Sequence, residues 1–348
     1  MEKEFRHSLV RMGIVWSAVV WATACSEVSF TPAGEIAESA HRPDGFEKEV
    51  FQFNGDETQA KVDVLFIVDN STSMLDEQSK LANRFDSFIG MLGAINWQIG
   101  VTTTDISEGS YGIKGSLVPF HGTHTTIIDK HTPNAEDAFK NTIVREELKT
   151  CKDDTCPSKD ERPLEATVLA IEKRNRENVG FFRSDSDFVV VILSDEDEGS
   201  NGTDAISPET VVGSFRAAFG ESKRITAFAI VIEPGDRSCY DSQWENAGKY
   251  AHITSGLPEI TGGLTGSICD DDYGPTLASI GKRVRESVYT LTLRNVPDPD
   301  SIQLRIHPFD PELRYEIDGQ TIRFQRAPKK GTQIEVVYKK RGTRRRSR

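Results

Sequence analysis

The sequence predicts an α/β fold, in which a doubly wound, mostly parallel β-sheet is flanked by helices and followed by a small C-terminal antiparallel β module. Two runs, VLFIV at 64–68 and FVVVIL at 188–193, are apolar at successive positions, which indicates strands buried on both faces. Strands and helices alternate from residue 60 to residue 287, as in a parallel sheet covered by helices. After residue 288, short segments alternate apolar and polar residues, which is typical of a half-exposed antiparallel sheet.

The predicted elements follow in order along the chain. Strands are predicted at 61–69, 96–104, 114–120, 187–195 and 224–232. Helices are predicted at 76–92, 134–148, 164–176, 207–219 and 273–288. The module of residues 288–338 is predicted to contain short strands, with turns such as PDPD and DG between them.

Residues 1–24 are predicted to be a lipoprotein signal peptide. Basic residues precede IVWSAVVWATA, an apolar run of signal-peptide length that is too short to cross a bilayer as a helix. The stretch that ends in Cys25 resembles a bacterial lipobox, in which this cysteine is lipidated and becomes the new N-terminus. Ser26 favours an outer-membrane lipoprotein that faces the periplasm or the cell surface. A plain secretory signal cut after Ala24 is the alternative.

The two flanks of the folded region differ in composition. Residues 25–59 lack a steady periodicity and contain several glycines and prolines, so they are predicted to be a tether. Residues 339–348 are mostly basic and are predicted to be a disordered tail, with contact to an anionic lipid surface as the alternative. The whole chain has a formal net charge of -12, which argues against nucleic acid as a partner because phosphate binding needs clustered basic residues.

Four cysteines remain after Cys25, and an even set in an exported chain predicts disulfides. Of the three possible pairings we favour Cys151 with Cys156 and Cys239 with Cys269. The chain-entropy estimate gives about 2 kcal/mol for the short loop and about 3.5 kcal/mol for the longer one. A four-cysteine zinc site is the alternative, but the second pair lacks C-x-x-C spacing.

Acidic and hydroxyl residues follow two of the buried strands. Asp69, Ser71 and Ser73 form D-x-S-x-S after the first strand, and Asp195 ends a later one. Parallel strands present their carboxyl ends at one edge of the sheet, where α/β folds bind ligands. Hard oxygen donors of this kind suit Mg²⁺ or Mn²⁺. The pattern predicts a divalent-metal site at this edge, with a helix N-cap as the alternative role of the motif.

The stretch VDVLFIVDNSTSM, with the later strand ending in Asp195, resembles a von Willebrand factor A (VWA) domain and its metal-ion-dependent adhesion site (MIDAS). The resemblance covers the whole parallel-sheet region, residues 60–287. It implies that Asp69 holds the metal through water and that two serines of the motif bind it directly. Asp195 would complete the protein ligands. The family's threonine is not matched, and its position falls on Glu161 or a close neighbour.

Glu161 lies in ERPLEATVLAI, a helix start similar to that of bacterial envelope VWA lipoproteins. It would supply a carboxylate ligand, or else only cap its helix. Thr104 and Asp105 follow the second strand and are candidates for the same edge. The acids of EDEGS (196–200) are predicted to lie in a solvated loop, with a second metal as the alternative. The histidines of FHGTHTTIIDKH (120–131) lack a positioned glutamate and are predicted to be surface residues.

These features predict a lipid-anchored binding protein of the bacterial cell envelope that is not an enzyme. It would recognise an acidic group of a protein or surface ligand through the metal, in adhesion or in the assembly of a complex. The alternatives are a structural envelope lipoprotein with a vestigial metal site and a metal-dependent hydrolase. The sequence contains no G-x-S-x-G elbow, no Walker loop and no G-x-G-x-x-G motif, so the hydrolase lacks a recognisable catalytic motif.

Overall fold

The computed structural model describes residues 35–41, 45–53, 60–145, 151, 156–202, 205–220, 223–244, 248–287 and 289–341. The predicted signal peptide, Cys25 and the end of the basic tail lie outside these residues. No helix in the described part of the chain is both long and apolar enough to cross a membrane.

The strands of the described residues are β1 (Glu35–His41), β2 (Phe46–Gln52), β3 (Lys61–Val68), β4 (Asn96–Thr103), β5 (Ile128–Asp129), β6 (Asp187–Leu193), β7 (Ile225–Val231), β8 (Thr265–Ser267), β9 (Thr290–Thr292), β10 (Gln303–His307), β11 (Tyr315–Asp318), β12 (Thr321–Phe324) and β13 (Gln333–Lys339). The helices are α1 (Leu75–Asn83), α2 (Phe85–Leu92), α3 (Ala135–Ile143), α4 (Pro163–Glu172), α5 (Pro208–Phe219), α6 (Arg237–Gln243), α7 (Gly256–Thr261) and α8 (Gly274–Ser287).

A six-stranded sheet in the order β5-β4-β3-β6-β7-β8 forms the centre of the molecule. Neighbouring strands are parallel except β5, which is antiparallel to β4. Within this sheet the chain first forms β3, then forms β4 next to it, and then crosses to β6 on the other side of β3. The predicted doubly wound, mostly parallel sheet is therefore confirmed. The order of the strands reverses beside β3, which is where such sheets bind ligands.

Both faces of this sheet are covered, as the uninterrupted apolar runs predict. Val64 and Phe66 of β3 pack on one face with side chains of α1, α2, α3 and α8. Leu65 and Ile67 pack on the other face with side chains of α4, α5 and α7. Because successive residues of a strand point to opposite faces, an unbroken apolar run is needed to fill both cores.

The structure differs from the predicted elements in two places. The helix predicted at 76–92 is broken at Arg84, where the backbone leaves helical geometry between α1 and α2. Residues 114–120, predicted as a strand, form none. Lys114 and Gly115 both have positive φ, and Gly115 lies so close to α4 that an added Cβ would be 2.5 Å from the Ala170 nitrogen. The segment therefore turns against α4, and β5 takes the place beside β4.

The C-terminal strands lie in two antiparallel sheets, in the orders β1-β2-β13-β10 and β11-β12-β9, the first of which also contains the two N-terminal strands. The predicted antiparallel module is present, but it includes two strands from the segment predicted to be a tether. The tether prediction for 25–59 is thus wrong at Glu35–His41 and Phe46–Gln52. β2 pairs with β13 over seven residue pairs. Val50 and Phe51 are buried there, so this segment is held by apolar packing as well as by hydrogen bonds.

The module and the central sheet share one hydrophobic core. The cluster that contains Phe66 and Phe88 also contains Leu291, Ile334 and Tyr338 of the C-terminal strands. Both favoured disulfides are present, Cys151–Cys156 and Cys239–Cys269. The second of them ties α6 to the segment after β8.

Candidate metal centre

The carboxyl ends of β3 and β6 place two aspartates side by side. The Asp69 backbone N–H donates to the Leu193 carbonyl oxygen at 2.9 Å, so the pairing of the two strands continues one residue beyond β3. Asp195 follows two residues after Leu193. Asp69 and Asp195 are 0% and 1% exposed, respectively. The predicted convergence of the two strand ends is thus present, inside the protein and not on its surface.

Local hydrogen bonds fix the Asp69 carboxylate. Its Oδ1 accepts from the Ser71 backbone N–H at 2.8 Å, and its Oδ2 accepts from the Ser194 hydroxyl at 2.7 Å. The Ser71 and Ser73 hydroxyl oxygens lie 2.9 Å apart. Asp69 therefore accepts a backbone N–H, as an N-cap would. However, neither the 3₁₀ turn Thr72–Met74 nor α1 has a side-chain cap hydrogen bond.

Glu161 lies in the same cluster and does not cap its helix. The Thr104 hydroxyl donates to Glu161 Oε2, while Oε1 is buried with no hydrogen-bond partner among the described residues. The first turn of α4 is instead capped by Glu198, whose Oε2 accepts from the Leu164 N–H at 2.6 Å. The helix-cap alternative for Glu161 is therefore wrong. Thr104 lies at the same edge of the sheet, in contact with Glu161.

Burial raises the pKa of all three carboxylates. Burial raises the pKa of Glu161 to about 10 and that of Asp195 to about 8, and the nearby charge of Asp69 adds to both shifts. Burial also raises the pKa of Asp69, although its hydrogen bonds from Ser194 and Ser71 oppose the shift. Buried carboxylates this close cannot all ionise without a compensating positive charge.

The donor set fits a divalent cation that prefers hard oxygen ligands. Both Asp195 carboxylate oxygens are buried and lack a hydrogen-bond partner in the described part of the chain. Glu161 offers one further unpartnered oxygen, and Ser71 and Ser73 offer hydroxyls. Among the described residues, no group of three or more His, Cys, Asp or Glu side chains could hold a metal ion by itself. A cation here would therefore depend on serine hydroxyls as well as carboxylates, a donor set suited to Mg²⁺ or Mn²⁺.

The acids after Asp195 hold the loop in place, so the predicted solvated loop is wrong. Glu196 forms an ion pair with Lys249 and is 5% exposed. Asp197 accepts from the Thr254 backbone N–H at 2.8 Å. Glu198, which caps α4, is also 5% exposed. Each of the three acids therefore already has a partner in the protein.

Sequence reasoning missed three polar residues around Asp69. Ser194 donates to its carboxylate, and the Gln78 amide donates to its carbonyl oxygen at 2.7 Å. The Asn70 side-chain amide is buried without a hydrogen bond to any described residue. The position of Ser194 next to Asp195 in the sequence could have indicated its role. Gln78 lies in α1, nine residues after Asp69, and no local pattern indicates its contact with Asp69. The three histidines of 120–131 are exposed.

No family model and no curated protein matches the chain. Among solved structures, the pilus adhesin SpaC from Lactobacillus rhamnosus GG is 9% identical over 86% of this chain and 42% of its own, with a TM-score of 0.37. Proximal thread matrix protein 1 from the mussel byssus is 12% identical over 69% of this chain and 51% of its own, with a TM-score of 0.37. Manganese-loaded TRAP from Plasmodium vivax is 12% identical over 70% of this chain and 76% of its own, with a TM-score of 0.36. The chain thus spans less than half of SpaC and about half of the mussel protein. Similarity at this level assigns neither a family nor a function.

Proposed function

We propose that this protein is a lipid-anchored binding protein of the bacterial cell envelope with a VWA-type fold and a MIDAS-type metal site. It recognises an acidic group of a protein or surface ligand through Mg²⁺ or Mn²⁺. The site would consist of Asp69, Ser71, Ser73, Glu161 and Asp195. One observation carries the proposal: buried carboxylate oxygens without partners lie beside two serine hydroxyls at the carboxyl edge of a doubly wound sheet.

The chemistry of the donors suits recognition of a carboxylate. Serine hydroxyls are neutral, so a cation they hold keeps more of its attraction for an outside anion than one surrounded by carboxylates. Glu161 adds a negative charge, which would tighten the hold on the metal and reduce that attraction. The fold would hold these donors in position before a ligand binds, and the hydrogen bonds from Ser71 and Ser194 position the Asp69 carboxylate in this way.

Export and anchoring rest on the sequence around Cys25 and on the disulfides. Two disulfides favour an oxidising compartment such as the periplasm or the cell surface. Lipidation at Cys25 would then hold the protein to the outer membrane. Adhesion and assembly of an envelope complex both agree with such a placement.

The hydrolase alternative receives less support from this geometry. It needs the acids after Asp195 to hold a second metal about 3.5–4 Å from the first. Glu196, Asp197 and Glu198 are instead bound to Lys249, to the backbone at Thr254 and to the start of α4.

Calorimetric titration with Mg²⁺ and with Mn²⁺ tests the metal site. Asp195→Asn keeps the shape of the side chain and removes its charge, so we expect binding at least about tenfold weaker than in the wild type. Asp197→Asn is the matched control, because an amide oxygen can still accept from the Thr254 N–H. Equal affinities for all three proteins would end the proposal of a metal centre.

Capture from an envelope extract tests whether the metal serves recognition. Immobilised wild type and Asp197→Asn should retain a partner in Mg²⁺ and release it in EDTA, whereas Asp195→Asn should retain none. Retention that ignores both EDTA and Asp195→Asn would favour the structural lipoprotein with a vestigial site.

A further inference from the structure

A cavity of about 320 Å³ lies at the opposite end of the six-stranded sheet from the metal centre. Ile225, the first residue of β7, lines it, whereas Asp69 and Asp195 follow the last residues of their strands. The remaining walls come from α5, α7 and α8 and from strands β9 and β12 of the small sheet. The volume is at the small end of the range for ligand pockets.

The lining of this cavity is strongly cationic. It contains one acid, Glu286, and five basic side chains: Arg216, Lys223, Arg224, Arg283 and Arg323. The protein as a whole has a net charge of -12, so this concentration of positive charge runs against the overall balance. A cleft lined by charges of one sign attracts ligands of the other sign.

Arg224 forms a fixed part of the wall. Its Nη2 lies 2.5 Å from Asp187 Oδ2, and its Nη1 donates to the Thr290 carbonyl oxygen at 2.9 Å. These contacts hold the guanidinium group across the gap between β6 and β9. Its charge is largely matched by Asp187, and the buried Lys223 ammonium is likewise paired with Asp63. The attraction for an anion therefore depends on the remaining arginines.

Arg283 and Arg323 are the basic groups available to an incoming ligand. The Arg283 side chain, on α8, forms no hydrogen bond or ion pair with the described residues. Arg323, on β12, has one exposed ion pair, 3.6 Å long, with Asp318. Exposed pairs of this length contribute little, so neither guanidinium is committed to the fold.

Two threonine hydroxyls face the same space. Thr292 of β9 and Thr321 of β12 are directly opposite each other in the small sheet. Their neighbours Leu291 and Ile322 are buried in the core, so the alternation of the strands turns the threonines towards the cavity. Neither hydroxyl is hydrogen-bonded to another described residue, which leaves both as donors.

We propose that this cavity binds the phosphate group of a phosphate monoester. Guanidinium groups and hydroxyls together offer many donors to a tetrahedral oxyanion, and arginine pairs with phosphate through two parallel hydrogen bonds. Phe215, Ile225 and Ile260 add apolar surface on which the carbon part of such an ester can rest. The inference is independent of the metal centre, since none of these residues belongs to it.

Calorimetry in EDTA tests the cavity without any contribution from a metal. The probes are inorganic phosphate, glycerol 3-phosphate, and vesicles of phosphatidylcholine with or without phosphatidic acid. We expect saturable binding of glycerol 3-phosphate or of the vesicles with phosphatidic acid, and Arg283→Gln should weaken it at least about tenfold. Arg285→Gln is the matched control, because Arg285 lies on the same helix outside the cavity and its loss should change nothing.

The probe that binds identifies the source of the phosphate: a soluble ester or a lipid headgroup. Thr321→Val provides a second variant if Arg283→Gln unfolds, and the melting temperature of each variant reports on folding. The absence of saturable binding to both glycerol 3-phosphate and the vesicles with phosphatidic acid, or an equal loss in Arg285→Gln, overturns the proposal.

Discussion

Asp69, Glu161 and Asp195 occupy a buried space in which their negative charges must be balanced by protons or by a cation. The spacing of D-x-S-x-S and the position of Asp195 after a buried strand were enough to predict two of these acids. Glu161 was predicted through the resemblance to VWA domains. The cap on α4 could not be predicted, because Glu198 reaches Leu164 across a tertiary contact that no local pattern indicates.

Without metal, the stability of the protein should fall as the pH rises from about 4 to about 8. The pKa of Asp195 is raised from 3.8 to about 8, so the folded state binds this proton more tightly than the unfolded state. The stabilisation that this proton gives the folded state is complete below the pKa of Asp195 in the unfolded state. It is lost as the pH rises through the pKa of Asp195 in the folded state. Circular dichroism in EDTA should therefore show a lower melting temperature at about pH 9 than at about pH 5.

Saturating Mg²⁺ should recover several degrees of the loss at high pH, because a ligand at about 100 times its Kd stabilises the folded state by about 2.7 kcal/mol. Asp195→Asn should show a smaller pH dependence and little response to Mg²⁺. Asp197→Asn should behave as the wild type. This control separates the effect of the buried carboxylates at the metal centre from the general increase of negative charge on the protein as the pH rises. A melting temperature that rises with pH in EDTA would contradict this assignment.

At the scale of elements, α2 and α8 pack so closely that a glycine is required between them. A Cβ on Gly281 would lie 2.6 Å from the Phe88 carbonyl oxygen and 2.9 Å from Met91 Cβ. Gly281→Ala should therefore destabilise the protein by about 1–3 kcal/mol through overpacking. Urea unfolding followed by circular dichroism measures the change.

Gly213, in α5, is the matched control for this helix substitution. A Cβ there meets nothing within 4 Å. Because alanine favours a helix more than glycine does, Gly213→Ala should stabilise the protein by about 0.5–1 kcal/mol. If both substitutions stabilised the protein, the close packing of α2 and α8 would be wrong.

The elements that sequence reasoning predicted well are those whose pattern is local. β3 and β6 are mostly apolar runs. α5 begins after Ser207, whose side chain accepts from the Thr210 N–H, and Pro208 is its first residue. The segment at 114–120 has an apolar pattern but turns at Lys114 and Gly115, which tertiary packing imposes. β2 was missed because its partner, β13, lies almost 300 residues away, as the pairing of Phe46 with Lys339 shows.

At the scale of the whole molecule, the shared core makes the C-terminal strands part of one folding unit. A chain that ends at residue 332 lacks β13 and with it the partner of both β2 and β10. Its loss also removes Ile334, Val336 and Tyr338 from the core. We expect this chain to lose cooperative thermal unfolding and Mg²⁺ binding together, measured by calorimetry.

A chain that ends at residue 341 is the control, since it keeps every described strand and lacks the end of the basic tail. It should melt at the temperature of the full chain. If the chain ending at residue 332 kept its melting temperature and bound Mg²⁺ normally, the C-terminal module would be independent of the α/β domain.

The antiparallel pairing of β2 with β13 also determines how the molecule would respond to tension. A pull on the amino end first reaches β1, an edge strand that pairs only with β2. Once β1 has separated, the pull reaches β2 at Phe46, while β13 is joined to the preceding chain at Gln333, at the other end of the pair. The two strands would then be loaded in shear, and their hydrogen bonds would resist together instead of opening one by one. A protein held at its amino end and gripped at the far edge of its sheet would gain mechanical strength from this arrangement.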